Sequence, residues 1–227
     1  ARDVMNGKLT IEFLKEENEE GPFIGSNSFR IDTSSKVTGA LKYAGDMVMP
    51  QMLHMQVLRS PYPHAEILEL DTSEAEAMAG VEAVVTHRDV QGIDGFGVFT
   101  DDQPVLARGK VRYVGDAIAA VAAEDLLTAK EALKKIKVRY RQLVAITKTE
   151  DAIKPGAVII HDDVPDNIVM HIPIRKGNVD KGMAEADFVI EETYYTQPVE
   201  HAYLEPEAGL AYLDADGTLV IQSPSQN

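Results

Sequence analysis

The residues best placed to do chemistry lie together in the last part of the chain. In Gln197-Pro198-Val199-Glu200-His201-Ala202-Tyr203-Leu204-Glu205-Pro206-Glu207, four ionisable side chains, Glu200, His201, Glu205 and Glu207, fall within eight residues. Apolar runs flank them on both sides, and charge inside such a run is costly unless it is paired, solvated or used. Pro206 and the flanking pattern point to a strand rather than a helix. In a strand, His201, Tyr203 and Glu205 share one face, and Glu200 and Leu204 share the other. A histidine and a carboxylate on one face suit proton transfer or metal ligation. They suit equally well a structural ion network. With His161 as a further ligand, His201 and Glu205 would read as a metal-dependent hydrolase. His161-Asp162-Asp163 with Asp166 offers oxygen and nitrogen ligands to a cation but lacks EF-hand spacing. Gly92-Ile93-Asp94-Gly95-Phe96-Gly97 has the glycines of a phosphate loop without the Gly-Lys-Ser/Thr or the strand–turn–helix frame, and reads as a plain loop. No nucleophile elbow is present.

Composition narrows the classes. The 227 residues contain no cysteine. That removes disulfides, thiolate metal ligands, cysteine nucleophiles and iron–sulfur clusters from this chain. Any redox chemistry must run through a non-thiolate cofactor and pass electrons to another chain. The formal net charge of −15 repels phosphate backbones and anionic membranes, so neither nucleic acid nor membrane is expected as a partner. No apolar run approaches a transmembrane span, and the default expectation is a cytoplasmic location. One basic cluster stands out, Lys134, Lys135, Lys137, Arg139 and Arg141. It reads as favourable charge at a helix C-terminus.

The elements that must position these residues are of mixed type. Met52–Leu58 and Ile67–Leu70 read as strands. Residues 71–80 read as a short helix, with Ser73 and Glu76 as a capping box and Gly80 as the stop. Val81–Thr86 and Ile118–Ala123 read as buried strands. Glu124–Ile136 reads as the best helix, with Leu126, Ala129, Leu133 and Ile136 on the face toward a sheet. Ile136–Tyr140 follows as an alternating strand. After Thr147 the texture changes. Pro155–Asn167 is loop-like, and Phe188–Tyr195, Gly209–Tyr212 and Gly217–Ile221 read as strands, with a hairpin turn at Asp214–Gly217. Residues 1–24 read as an extension or linker, and the stop at Asn227, directly after a strand, suggests part of a larger fold.

Several segments, taken in order, resemble the molybdenum hydroxylases, the xanthine dehydrogenase and aldehyde oxidase family. They are Arg30-Ile31-Asp32, Lys36-Val37-Thr38-Gly39, Lys42-Tyr43-Ala44-Gly45-Asp46, Arg59-Ser60-Pro61-Tyr62-Pro63-His64-Ala65, Gly80-Val81-Glu82-Ala83-Val84-Val85-Thr86, Val111-Arg112-Tyr113-Val114-Gly115-Asp116 and Glu200-His201-Ala202-Tyr203-Leu204-Glu205. The resemblance implies an α+β fold: an α/β hammerhead domain over residues 25–146, then the β-rich start of a molybdopterin-binding domain over 147–227. It implies part of an enzyme that hydroxylates N-heterocycles or aldehydes with water as the oxygen source. A non-catalytic assembly module of the same fold is the alternative.

The implied cofactor of the complete enzyme is molybdopterin, in its cytosine dinucleotide form. Iron–sulfur clusters and FAD would sit on partner subunits or domains, and this chain alone is expected to hold no cofactor. The other implied partners are the rest of the molybdopterin-binding subunit and a small-molecule substrate. The resemblance sets Gln197, Val199, Glu200, His201 and Glu205 near the molybdenum pocket. It gives no catalytic residue and no metal ligand here, because the family's base lies downstream. Where xanthine-type enzymes carry a glutamine that bonds the metal's oxo group, this chain has Val199, with Gln197 two positions away on the same strand face.

Overall fold

The computed structural model describes residues 30–92, 95–97, 100–204 and 206–224. The expected extension over residues 1–24 and the site candidate Glu205 lie outside them. The chain divides into two units, Pro50–Thr193 and a second made of Ala1–Met49 with Tyr194–Asn227.

The first unit is organised by two strands buried between neighbours. β1 (His54–Arg59), β5 (Ala117–Ala123) and β3 (Val81–Thr86) form one antiparallel sheet with β5 in the middle. β4 (Lys110–Val111), β2 (Ala65–Asp71) and β6 (Lys137–Gln142) form another with β2 in the middle. β5 reads Ala-Ile-Ala-Ala-Val-Ala-Ala, apolar at every position, as a strand covered on both faces must be. Ala119 and Val121 pack with Ala75, Ala132 and Ile136, whereas Ile118 packs with Ala65, Ala107 and Val111. The β5 alanines leave room for α3 (Leu126–Leu133), which rests on β1 and β5.

α3 begins at Asp125, whose carboxylate accepts from the Leu127 and Thr128 amides at 2.8 and 2.9 Å. Those bonds satisfy two of the orphan donors of a helix start. The helix is shorter than the predicted 124–136, and its inner face differs by one residue. Ala129, Ala132 and Ile136 are buried with Leu133 against them, but Leu126 is 43% exposed. Side chains lean toward a helix N-terminus, so a first-turn residue such as Leu126 overhangs what the helix packs on. α2 (Ser73–Glu76) also starts differently. Thr72 is the N-cap, and Asp71 accepts from the Ser73 amide and hydroxyl at 3.0 and 2.6 Å. A carboxylate two residues upstream is the stronger acceptor and displaces the predicted Ser73 capping box. Gly80 takes φ +82°, and a Cβ there would meet Thr128 Cγ2 at 3.2 Å. The stop is therefore also a point of close packing on α3.

The basic cluster is divided: Lys134 is the C-cap of α3, with Lys135 next to it, and the rest lies on β6. Lys137, Arg139 and Arg141 alternate along β6 and pair with Glu74, Glu69 and Glu66 from α2 and β2. The register sets Arg141 opposite Glu66 and Arg139 opposite Glu69, so for the strand residues cross-strand pairing replaces charge–dipole placement.

β6 leads into a connector with α4 (Thr149–Ala152), irregular chain over the predicted 155–167 loop, and α5 (Val179–Glu185). Asn178 starts α5 by accepting from the Lys181 amide at 2.9 Å. The predicted strand at 188–195 does not form. Its backbone carries no ladder, and Phe188 and Ile190 are 90% and 87% exposed. Its alternation is that of a strand, but no described strand pairs with it, and an unpaired strand has little stability in water.

In the second unit, α1 (Thr33–Thr38) ends at Gly39, φ +72°. A 3-10 turn at Ala44–Asp46 is closed by the Asp46 carboxylate, which accepts from the Tyr43 amide at 3.1 Å. β7 (Leu210–Leu213) and β8 (Leu219–Gln222) form the predicted hairpin. Its turn is closed by Gly217 N–H donating to the Asp214 carbonyl at 3.1 Å.

Candidate functional site

Two sequence segments that lie far apart in the chain meet in one buried polar junction. Arg59–Ala65 leaves β1, and Val111–Asp116 leads into β5. The Ser60 amide donates to the Asp116 carbonyl at 2.8 Å, and the Gly115 amide donates to the Ser60 carbonyl at 2.8 Å. Arg59 Nη1 donates to the Gly115 carbonyl at 2.9 Å. Asp116 is buried, and its carboxylate accepts from the Arg112 amide at 3.0 Å. Desolvation outweighs that bond and the nearby Arg112 charge, so the Asp116 pKa lies above the ordinary carboxylate value. His64 is buried too. Its Nδ1 donates to the Val144 carbonyl at 2.8 Å, which ties the start of β2 to the chain leaving β6. Tyr62 and Tyr140 close the junction edge to face, 5.0 Å between ring centres.

From β4 and the residue after it, two cations reach out to the connector. Lys110 donates to Asp162 at 2.8 Å and to the Ile159 carbonyl at 3.4 Å. Arg112 Nε donates to the Ile160 carbonyl at 3.1 Å. Asn167, in the left-handed region at φ +55°, accepts from the Ile160 amide and donates to the carbonyls of Ala152 and Val158, each at 2.9 Å. A non-glycine residue held there needs such over-determination. Lys110 and Arg112 latch residues 159–162 onto the sheet, and Asn167 braces residues 152–167 from within. A cleft of about 430 Å³ opens along the connector between Lys154, Pro155, Asp166 and Ile168. It gathers no cluster of titratable groups.

The latch uses the residues proposed for a cation. Asp162 is engaged by Lys110, whose hydrogen bond holds its pKa below the ordinary value. Asp166 accepts from the Ile168 amide at 3.1 Å. The His161 pKa is lowered, first by burial and then by the Arg112 charge. A site already facing two fixed cations repels a third, and among the described residues no group of three His, Asp or Glu side chains is placed to hold a metal. The cation reading at His161 therefore does not hold among the described residues. The glycine-rich loop also has a packing reason. A Cβ on Gly95 would meet the Asp101 carbonyl oxygen at 2.6 Å, and one on Gly97 would overlap the Thr100 carbonyl oxygen.

Residues 197–204 do not form the predicted strand. They run irregularly and exposed, with Ala202 at φ +53°. Gln197, Val199, Glu200 and His201 all face solvent. The pairing of alternate residues nonetheless appears, because the His201 and Tyr203 rings stack at 5.5 Å with 3° between planes. Glu200 accepts from the His201 amide at 3.1 Å, so its carboxylate closes on its neighbour's backbone rather than on the imidazole. Sequence reasoning does not single out Lys110, Arg112, Asp116 and Asn167 as a group. The available signal lies in Val111–Asp116, where an arginine and an aspartate flank apolar positions leading into a buried strand.

Two family models divide this chain between them. Residues 38–144 match the aldehyde oxidase and xanthine dehydrogenase a/b hammerhead domain, and residues 160–227 match the molybdopterin cofactor-binding domain. The chain belongs to the xanthine dehydrogenase and aldehyde oxidase family. Its α+β fold is that of the family's hammerhead domain, and the resemblance read from the segments above holds.

The chain is 46% identical over 198 residues to a probable xanthine dehydrogenase subunit of Bacillus subtilis, covering 87% of this chain and 26% of that protein. It is 39% identical over 204 residues to the nicotinate dehydrogenase large molybdopterin subunit of Eubacterium barkeri, covering 90% of this chain and 48% of that protein. It superposes on the aldehyde oxidoreductase of Desulfovibrio gigas with a TM-score of 0.83 and 34% identity, covering 98% of this chain and 26% of that one. The chain thus spans between about a quarter and a half of the length of these relatives. Among the described residues, no helix is long and apolar enough to cross a membrane. The latch residues 159–162 coincide with the start of the cofactor-binding match.

Proposed function

We propose that this chain is part of a cytoplasmic molybdenum hydroxylase that oxidises N-heterocycles or aldehydes, with water as the oxygen source. Its hammerhead domain would span residues 25–146 and its cofactor-binding part would begin at 147. The observation that carries the reading is the tandem of two family matches on one chain, with a hydrogen-bonded latch between them. The names of the relatives support purines, nicotinate and aldehydes as substrate classes.

A bound molybdenum cofactor, in the proposed cytosine dinucleotide form, would supply two-electron oxidation chemistry with water as the oxygen source. Residues 194–227 contain five carboxylates and no Lys or Arg. A pyrophosphate needs cations or aligned N–H donors, so this segment does not fit the dinucleotide end. What it offers is a polar border. Gln197, Glu200, His201 and Glu205 can hydrogen-bond a substrate or an ordered water at the rim of a pocket, and Val199 adds an apolar contact. Electrons would leave through iron–sulfur and FAD subunits or domains, since these 227 residues, without cysteine, cannot ligate a cluster through thiolates.

The test is to co-produce the chain with the rest of its large subunit and the electron-transfer subunits in a host that makes the cofactor. The expected result is copurified molybdenum and pterin, with ¹⁸O from labelled water in the product of nicotinate, a purine or an aldehyde. The isolated chain is expected to bind no molybdopterin. An assembled complex without molybdenum would overturn the reading and leave a non-catalytic assembly module.

A further inference from the structure

His161 sits between the two anchor points of the latch. The carbonyl before it, Ile160, accepts from Arg112 Nε at 3.1 Å, and the carboxylate after it, Asp162, accepts from Lys110 at 2.8 Å. Lys110 also donates to the Ile159 carbonyl, and the Ile160 amide donates to Asn167. The His161 carbonyl itself accepts from the Val164 amide at 2.9 Å. With both neighbours tied to the sheet, the half-buried imidazole stays in the field of the two cations while the latch is closed. The Lys110 side chain keeps only 12% of its surface in water, so its charge is poorly screened there.

The charges that face this imidazole come from several elements. Arg112 and Lys110 approach from β4 and the residue after it, and both disfavour its protonated form. Asp102, in the loop before β4, and Asp163, on the connector, favour it. Asp116, in the turn into β5, is buried and feels the His161 charge in turn. Asp162 is engaged by Lys110. We propose that the latch is a proton-operated catch: neutral His161 lets Lys110 and Arg112 hold residues 159–162, and protonated His161 repels them and releases that segment from the sheet. Burial and then the Arg112 charge outweigh the carboxylates, so the His161 pKa lies below its ordinary 6.5 in the latched state. The released segment therefore binds more protons than the latched one as pH falls below about 6.5, and acid opens the catch. Asp116, with its pKa raised above 3.8, loses its charge on the same descent and then no longer offsets His161. Asp162 gives a later step. The Lys110 hydrogen bond holds its pKa below 3.8, so that pairing is lost only as pH falls below about 4. The catch joins the two family matches, with Lys110 and Arg112 in the first and His161 in the second. It rests on the geometry of the latch and not on the proposed function.

The test follows hydrogen exchange in the whole chain between pH 7.5 and pH 5, with each rate divided by the unstructured rate at the same pH. Protection over residues 157–168 is expected to fall by at least about threefold across that range while β5 keeps its protection. His161→Gln, which stays neutral, should remove the step. Asp116→Asn should keep the step and move it to lower pH, since it removes a charge that favours the imidazolium. A wild-type chain without the step overturns the proposal, as does an unchanged step in His161→Gln. A step lost in Asp116→Asn would make Asp116 the sensor and overturn it as well. So would parallel loss of protection in β5, which would mean general acid unfolding. If the variants fail to fold, imidazole NMR on the wild-type chain decides. The His161 resonance should titrate below the histidine midpoint of the urea-unfolded chain, and a midpoint at or above it overturns the proposal.

Discussion

The β1–β5–β3 sheet and the β7–β8 hairpin are built from similar residues and end in opposite states. In the sheet, Ala119 and Val121 are fully buried against Ala132 of α3 and their other neighbours. In the hairpin, Leu213, Leu219 and Ile221 remain mostly exposed although their strands are paired. Hydrophobic patterning alone therefore does not separate the two. What separates them is whether the chain supplies a covering layer. α2 and α3 lie over the sheet, and nothing among the described residues covers the outer face of the hairpin.

The largest test of this contrast is Ala132→Asp. A charge at a fully buried site packed on β5 is expected to cost about 3–5 kcal/mol, seen as a lower urea midpoint. Leu126→Asp on the same helix should cost less, about 1 kcal/mol, because Leu126 keeps 43% of its surface exposed and a carboxylate is favoured in a first helical turn. Equal effects would show that the inner face of α3 is wrongly drawn.

Arg112→Ala leaves the Ile160 carbonyl without its partner and should cost about 1–3 kcal/mol locally. The readout is faster hydrogen exchange over residues 152–167 with little change in β5. Uniform acceleration would mean that the latch and the sheet unfold as one.

Asp116 tests burial through pH. Its folded pKa is raised, so its protonated form is favoured in the folded state, and that contribution is lost as pH rises through the folded value. Asp116→Asn keeps an acceptor for the Arg112 amide and removes the charge. It is expected to preserve or raise the urea midpoint at pH 7 and to flatten its change just above the ordinary carboxylate value of about 4. A clear loss of stability at pH 7 would show that the Arg112 contacts outweigh desolvation.

The smallest effect is expected at Glu69→Gln. Both Glu69 and Arg139 are more than half exposed, and such pairs contribute about 0–1 kcal/mol. A larger loss in the urea midpoint would show that the ladder on β6 acts as a coupled network.

What is legible in the sequence follows the same divide. Strands 54–59, 65–71, 81–86 and 117–123 are readable because their apolar patterns are satisfied within the chain. The hairpin is readable because Asp214–Gly217 fixes its turn locally. Phe188–Tyr195 misleads because alternation reports a preference for burial and not the presence of a partner. The Ser73 box and the Leu126 face fail at helix starts, where one competing carboxylate or one overhanging side chain changes the outcome. At the candidate site, the i and i+2 pairing of His201 with Tyr203 is legible, although the strand that was to carry it does not form. The latch is not, since Lys110, Arg112 and Asn167 are joined by contacts to backbone carbonyls that leave no mark in residue spacing.

One consequence of the β6 ladder concerns what the molecule avoids. β6 lies at the rim of its sheet, where unpaired backbone groups could template another chain. Lys137, Arg139 and Arg141 stand at every second position along it. A second β6 approaching antiparallel would bring three positive charges against three. The alternation that pairs this strand with the carboxylates of Glu66 and Glu69 thus also guards the rim against aggregation, and charge reversal at Arg139 would weaken that guard while setting two carboxylates opposite each other.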